Sequence, residues 1–306
     1  MRCAKLSIVK LSQQKIMRRF LGLALVIFLG ILLWGNQYSG NASQTQTPDP
    51  VIQMWKSHQQ DLPISSPMLA VEPSQPVEAN SVTYGSLNNQ DLVGYLARPA
   101  QAEESLPGLI VIHEWWGLND NIKMMTERLA GEGYVALAVD LYGGKVGDTP
   151  EEARKLVTAA RDNEQQLKNN IRQAYQYLEQ EQTVPKIGSI GWCFGGSWSL
   201  NTALLFPKEL DATVIYYGGG IETNPNQLQA LEMPILGIFG ELDDNPSVET
   251  VRQFETALKD LGKSPEIYIY ENADHAFANP SGTRYNAKAA EDAWKKTITF
   301  LNLHLK

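Results

Sequence analysis

The chain has 306 residues, 43% of them hydrophobic, which is enough for one large α/β domain with a sizeable core and extensions. Six of its 26 basic residues lie within residues 1–19, where there is no acid; the remaining 20 face 34 acidic residues, a balance near −14 that argues against nucleic acid as a partner. The two cysteines, Cys3 and Cys193, exclude an internal disulfide framework.

The basic start (Arg2, Lys5, Lys10, Lys15, Arg18, Arg19) runs into an apolar stretch from Phe20 to Trp34. A charged region followed by an apolar one is the pattern of an export signal. Some 15 apolar residues rise only ~22 Å as a helix, short of the ~30 Å hydrocarbon core of a bilayer. That favours a cleaved signal peptide over a stable span, with a small-x-small site at Gly40-Asn41-Ala42. Uncleaved, the segment is an amino-terminal membrane anchor with its basic side in the cytoplasm. Residues 1–40 are therefore expected to be signal or anchor, and the remainder exported (periplasmic or extracellular) or anchored to the membrane. Cys3 would leave with a signal, making Cys193 a lone thiol.

Residues 41–80 are rich in Pro, Ser, Gln and Thr, with Pro48, Pro50, Pro63, Pro67, Pro73 and Pro76, and are expected to form a linker. Trp55 and Met68 are its candidates for docking on the domain that follows. His58, and far downstream His304, lie outside any cluster and are expected at the surface.

The domain is expected over 81–306. Segments 81–85 and 92–98 flank Asn88-Asn89-Gln90-Asp91 and predict an opening hairpin. Gly108-Leu109-Ile110-Val111-Ile112 is a continuous apolar run, the mark of a central parallel strand. A helix is predicted over 121–131, with Ile122, Met125 and Leu129 on one face. Further strands are predicted from Tyr134 to Val139, Lys186 to Ile190, Ala212 to Tyr217, Pro234 to Phe239 and Glu266 to Tyr270. Helices are predicted from about Pro150, from Glu164 to Gln180, after Gly195, from Val248 to Leu261 and from Ala287 to Leu303. Strands alternating with helices give a doubly wound, mostly parallel sheet with helices on both faces.

Gly191-Trp192-Cys193-Phe194-Gly195 reads G-x-C-x-G, a nucleophile elbow with a thiol in place of the usual hydroxyl. The glycines two before and two after Cys193 let strand and helix approach closely, and the helix N-terminus beneath the sulfur favours thiolate. In such sheets the site gathers at the carboxyl ends of the strands. Those ends carry His113, Glu114, Trp115 and Trp116; Cys193; Glu241, Asp243 and Asp244; and Asp274 and His275. Nucleophile, acid, base in chain order is the α/β-hydrolase order, and Cys193, Asp243 and His275 fit it. Of the two aspartates, the G-x-x-D spacing favours Asp243, with Asp244 a solvated neighbour. His275 would take the thiol proton and later activate water, Asp243 would fix the imidazole, and the backbone N–H groups of Phe194 and Trp115 would hold the oxyanion. His113 is expected to be structural. Trp116 and Tyr142 are candidates for the substrate pocket. No set of residues at metal-ligand spacing is visible, and no cofactor is expected.

From about Val82 to its carboxyl end the chain resembles the dienelactone hydrolase family, α/β-hydrolases with a cysteine nucleophile. The resemblance rests on Ile112-His113-Glu114-Trp115-Trp116-Gly117-Leu118-Asn119, Asp140-Leu141-Tyr142, Gly191-Trp192-Cys193-Phe194-Gly195-Gly196, Gly240-Glu241-Leu242-Asp243 and Asp274-His275-Ala276-Phe277. It implies Cys193 as nucleophile, His275 as base, Asp243 as its orienter, and Glu114 as an auxiliary glutamate that holds the resting thiol and helps deprotonate it. One departure stands out. The family's dienelactone enzymes grip the substrate carboxylate with two arginines, and the matching places here hold Gly143-Gly144 and Asn279, with Lys145 and Arg284 nearby. The implied activity is therefore hydrolysis of small carboxylic esters or lactones through an acyl-thioester by a monomer, with membrane contact only through residues 1–40. The alternatives are a ligand-binding or thiol-sensing protein without catalysis, and an acyltransferase.

Overall fold

The sheet grows outward from β3 (Gly108–Ile112), whose five residues are all buried. The structure, a computed structural model, describes residues 72–101 and 105–306 together with Ile52, Lys56, His58, Gln59 and Asp61. All of these fall within one compact unit, Pro48–Lys306. The expected signal or anchor, and Trp55 and Met68, lie outside the described residues; among the described residues no helix is long and apolar enough to cross a membrane.

The remaining elements are β1 (Val77–Leu87), β2 (Gln90–Pro99), α1 (Asp120–Gly131), β4 (Val135–Val139), α2 (Pro150–Asp162), α3 (Glu164–Gln176), β5 (Ile187–Trp192), α4 (Phe194–Leu205), β6 (Ala212–Tyr216), α5 (Pro225–Leu228), β7 (Ile235–Gly240), α6 (Val248–Asp260), β8 (Glu266–Tyr270) and α7 (Ala287–Leu305). They build an eight-stranded sheet in the order β1-β2-β4-β3-β5-β6-β7-β8. β2 runs antiparallel to both β1 and β4, and the other pairings are parallel. This is the mostly parallel sheet expected from the alternating pattern, and it fits the α/β-hydrolase fold that the resemblance implies. β4, β5, β6 and β7 are buried along their whole length, as strands covered by helices on both faces must be. Side chains of Asn119, Thr149, Ser247 and Asn286 accept from the first-turn N–H groups of α1, α2, α6 and α7, each cap stabilising its helix by ~1 kcal/mol.

The amino-terminal limit of the domain differs from the expected residue 81. β1 begins at Val77, which pairs with Pro99. Ser74 and Gln75 both donate to the carbonyl of Gly131 at the end of α1. A proline-rich composition hid this, because ladder hydrogen bonds need only a backbone, not a hydrophobic pattern. The hairpin turn is tighter than expected: Asn88 and Asn89 alone form it, at φ +49° and +61°, values asparagine tolerates. His304 is half-buried rather than a surface residue, with its ring 4.6 Å from that of Phe300. His58, also expected at the surface, is 1% exposed.

Candidate active site

Cys193 sits between β5 and α4 at φ +57°, ψ −118°. This left-handed backbone is unusual for a residue with a Cβ and costs roughly 1–3 kcal/mol. The flanking glycines explain how it is reached. A Cβ on Gly191 would lie 2.1 Å from the carbonyl oxygen of Gly195, and one on Gly195 would lie 2.1 Å from that of Ile112. Only glycine lets α4 start this close to β3 and β5. The N–H of Cys193 donates to Tyr216 O on β6 at 3.1 Å, which pins the elbow to the next strand. Phe194 opens α4, whose first N–H groups have no partner within the helix.

His275 and Asp243 are brought together from the ends of β8 and β7. The N–H of Glu241 donates to Tyr270 O and that of Leu242 to Ala273 O, tying the two loops side by side. His275 Nδ1 lies 2.8 Å from Asp243 Oδ2, and both side chains are almost fully buried. Asp243 Oδ1 accepts from the N–H of Asn245 at 2.7 Å. His275 therefore donates its Nδ1–H to the carboxylate, which leaves Nε2 to face the sulfur; this nitrogen is buried without a hydrogen-bond partner. Asp244 is exposed, as expected of the solvated neighbour.

A second imidazole is present that sequence reasoning missed. His58 Nε2 lies 4.0 Å from Cys193 Sγ. One nitrogen from each of His58 and His275 and the Cys193 sulfur all lie within 4.8 Å of one another. The His58 ring is 4.4 Å from that of His275, edge-on, and 4.8 Å from Trp115. Its Nδ1 is 2.5 Å from Asp61 Oδ2, and Arg284 reaches both, at 2.8 Å to Nδ1 and 2.6 Å to Oδ2. The one sequence signal was the i, i+3 spacing of His58 and Asp61, which carries no meaning until the segment is known to dock. The sequence also showed no metal set, yet these three side chains converge as a cysteine–histidine cluster. The guanidinium of Arg284 beside His58 puts a fixed positive charge against that cluster and opposes a divalent cation there.

The electrostatics favour a charged pair. Burial alone would raise the Cys193 thiol, but the His275 and His58 imidazoles overcome it and bring the thiol down to about 5. Burial would depress His275, but the charges of Asp243 and Cys193 lift it well above its ordinary value. At neutral pH the pair is thiolate and imidazolium.

Glu114 is 2% exposed and accepts from Asn279 Nδ2 at 2.6 Å. Burial first, and then the Cys193 charge, push its carboxyl up to about 8. Asn279, at one of the two places where the family's dienelactone enzymes carry an arginine, thus bonds the glutamate. At the other, Asp140 accepts from the N–H groups of Tyr142 and Gly144, closing a tight turn through Gly143 at φ +64°. Lys145 beyond it is exposed. His113 is structural, as expected: Nδ1 donates to Glu114 O at 2.6 Å and Nε2 accepts from Leu141 N at 3.2 Å, holding β3's end against β4's. Tyr142 is buried between the rings of His113 and Phe194, its Oη without a partner. Two cavities meet at Cys193. One of about 280 Å³ is lined by His58, Glu114, Trp115, Trp116, Asn279 and Arg284 among others. The other, of about 230 Å³, is lined by Phe194, Trp198, Asn245 and His275 among others.

The sequence model of the dienelactone hydrolase family matches residues 92–305. The chain belongs to that family. It is 35% identical over 247 residues to the "Putative carboxymethylenebutenolidase" of Saccharolobus solfataricus, covering 68% of this chain and 92% of the relative. It is likewise 35% identical over 225 residues to "Protein usf" of Aquifex pyrophilus, covering 71% and 96%. Among solved structures it is similar to a "Putative Dienelactone Hydrolase" from Klebsiella pneumoniae subsp. pneumoniae, at a TM-score of 0.68 and 27% identity over 75% of this chain and all of that one. The protein is a hydrolase of the dienelactone hydrolase type acting on a small molecule. His58 lies outside the span that the family model matches.

Proposed function

We propose that this hydrolase cleaves small carboxylic esters or lactones through Cys193, His275 and Asp243. The observation that carries the reading is the strained Cys193, its sulfur beside an imidazole whose far nitrogen is 2.8 Å from a buried carboxylate. The thiolate attacks the carbonyl carbon. The oxygen takes the negative charge and is met by the N–H groups of Phe194 and Trp115. The C–O bond to the alcohol breaks as His275 gives its proton to the leaving oxygen, and an acyl-thioester remains on Cys193. Water then attacks the same carbon, His275 takes its proton, and sulfur leaves as thiolate. Neutral acyl groups are favoured over carboxylate-bearing ones, because Arg284, the arginine that lines the larger cavity, is already paired with Asp61.

Intact-mass measurement after rapid quenching with 4-nitrophenyl acetate tests the mechanism. A 42-dalton adduct on the peptide containing Cys193 is the expected result, the mass of one acetyl group replacing a proton, roughly as any acyl-enzyme requires. Turnover without any adduct on that peptide would overturn it.

We also propose that the domain is exported, supported by the basic start and the apolar Phe20–Trp34 stretch. Mass measurement of the mature amino end should show cleavage near Ala42, which keeps His58 in the mature protein. A mature chain that begins at Met1 in the cytosol would refute export.

A further inference from the structure

The pair His58 and Asp61 reaches the nucleophile from outside the family's matched span, and His58 is 1% exposed, a burial that costs stability unless its ring nitrogens are hydrogen-bonded. Asp61 Oδ2 is 2.5 Å from His58 Nδ1, and Arg284 Nη2 grips the same oxygen at 2.6 Å. Burial would raise the Asp61 carboxyl, but His58 and Arg284 hold it below its ordinary value, so it is a carboxylate. His58 therefore donates its Nδ1–H to the Asp61 carboxylate, which turns Nε2 toward the sulfur 4.0 Å away. The arrangement repeats what Asp243 does for His275, with the two imidazoles facing different cavities.

We propose that Asp61 and His58 form a second carboxylate–imidazole dyad of the active site, in which His58 holds the Cys193 sulfur as the attacking thiolate and Arg284 fixes the dyad in place. The proposal rests on the thiol-hydrolase reading above. No bond is made or broken at His58: protonated, it donates Nε2–H to the thiolate; neutral, it accepts the S–H proton. The charged or titratable groups facing the sulfur are His58, His275, Glu114, Tyr142 and Tyr217. Those facing His58 are Cys193, His275, Asp61 and Arg284, and Arg284 also lies 3.6 Å from Asp274. Removing one of the two imidazoles that lower the buried Cys193 thiol makes its thiolate harder to form. His58 and Asp61 thus act as positioning residues of the active site.

The test uses the full mature chain and measures two things against pH: alkylation of Cys193 by iodoacetamide, and kcat/KM for 4-nitrophenyl acetate. In the wild type, alkylation should rise through pH about 5, the value set by the two imidazoles. In His58→Ala and in Asp61→Asn that midpoint should move up by about one pH unit or more, and kcat/KM should fall about twofold or more at pH 6, the loss growing toward about tenfold below pH 5. His58→Gln, whose amide still donates to sulfur, should recover part of the loss. An unchanged midpoint with unchanged kcat/KM overturns the proposal, and so does faster hydrolysis in His58→Ala, which would make the segment a plug. Alkylation reports on the thiol whether or not it is the nucleophile. Full hydrolysis by Cys193→Ala would sink the thiol mechanism, whereas an inactive Cys193→Ala beside an unaltered His58→Ala would sink only the role of His58.

Discussion

Cys193→Ala is expected to lower kcat for a small neutral ester by at least about a thousandfold, while the melting temperature stays close to that of the wild type. The size follows from what the change removes and what it leaves. Without sulfur no acyl-thioester forms, so only direct attack by water remains, helped by the oxyanion N–H groups and substrate binding, which together give a residual far below triad catalysis. The stability expectation follows from the local structure. Alanine keeps the Cβ and therefore the same strain at φ +57°. The side chain lost is small, and the N–H bond to Tyr216 O that anchors the elbow is a backbone bond the substitution does not touch. Steady-state kinetics and a thermal melt on the same preparation decide the matter. Undiminished turnover would show that the thiol is not the nucleophile.

Much of this architecture was legible because it is written in local rules. The apolar run of β3 and the alternation of strands with helices require a covered parallel sheet, and the sheet places its loops at one edge. The elbow was legible because Gly191 and Gly195 are demanded by contacts that any side chain would violate. The G-x-x-D spacing favoured Asp243 over Asp244, and in the structure it is Asp243 whose buried carboxylate lies 2.8 Å from His275 Nδ1. What escaped was long-range and individual. His58 joins Cys193 across 135 residues and Arg284 across 226, with no periodicity to announce either contact. Asn279 meets Glu114 across 165 residues, and a lone asparagine in a loop gives no hint of that. The role expected for Glu114 was to hold the resting thiol. In the structure its carboxyl is bonded to Asn279 and feels the Cys193 charge, while the His58 and His275 imidazoles both face the sulfur.

The other large effect expected is at the base. His275→Ala should reduce kcat/KM by about a thousandfold or more and raise the pH at which Cys193 becomes reactive from about 5 toward the ordinary thiol range. The sign is fixed by the charge on each form. A depressed thiol is ionised above its pKa, so the reactive limb rises through that pH. Of the groups that depress it, the His275 imidazolium comes first, and removing it leaves burial, which acts in the opposite direction. His58 then remains as the only imidazole beside the sulfur among the described residues, so the thiol should stop short of a fully unassisted value. Asp243→Asn separates charge from bulk. The amide keeps the shape but cannot both accept the Nδ1 proton and stabilise the imidazolium, so a loss on the order of a hundredfold or more is expected, with the fold retained. Asp244→Asn, at the exposed neighbouring position, should leave kcat/KM within about twofold. Equal losses at Asp243 and Asp244, or a Cys193 reactivity profile that ignores His275, would mean that the 2.8 Å contact orders the loops without serving the chemistry.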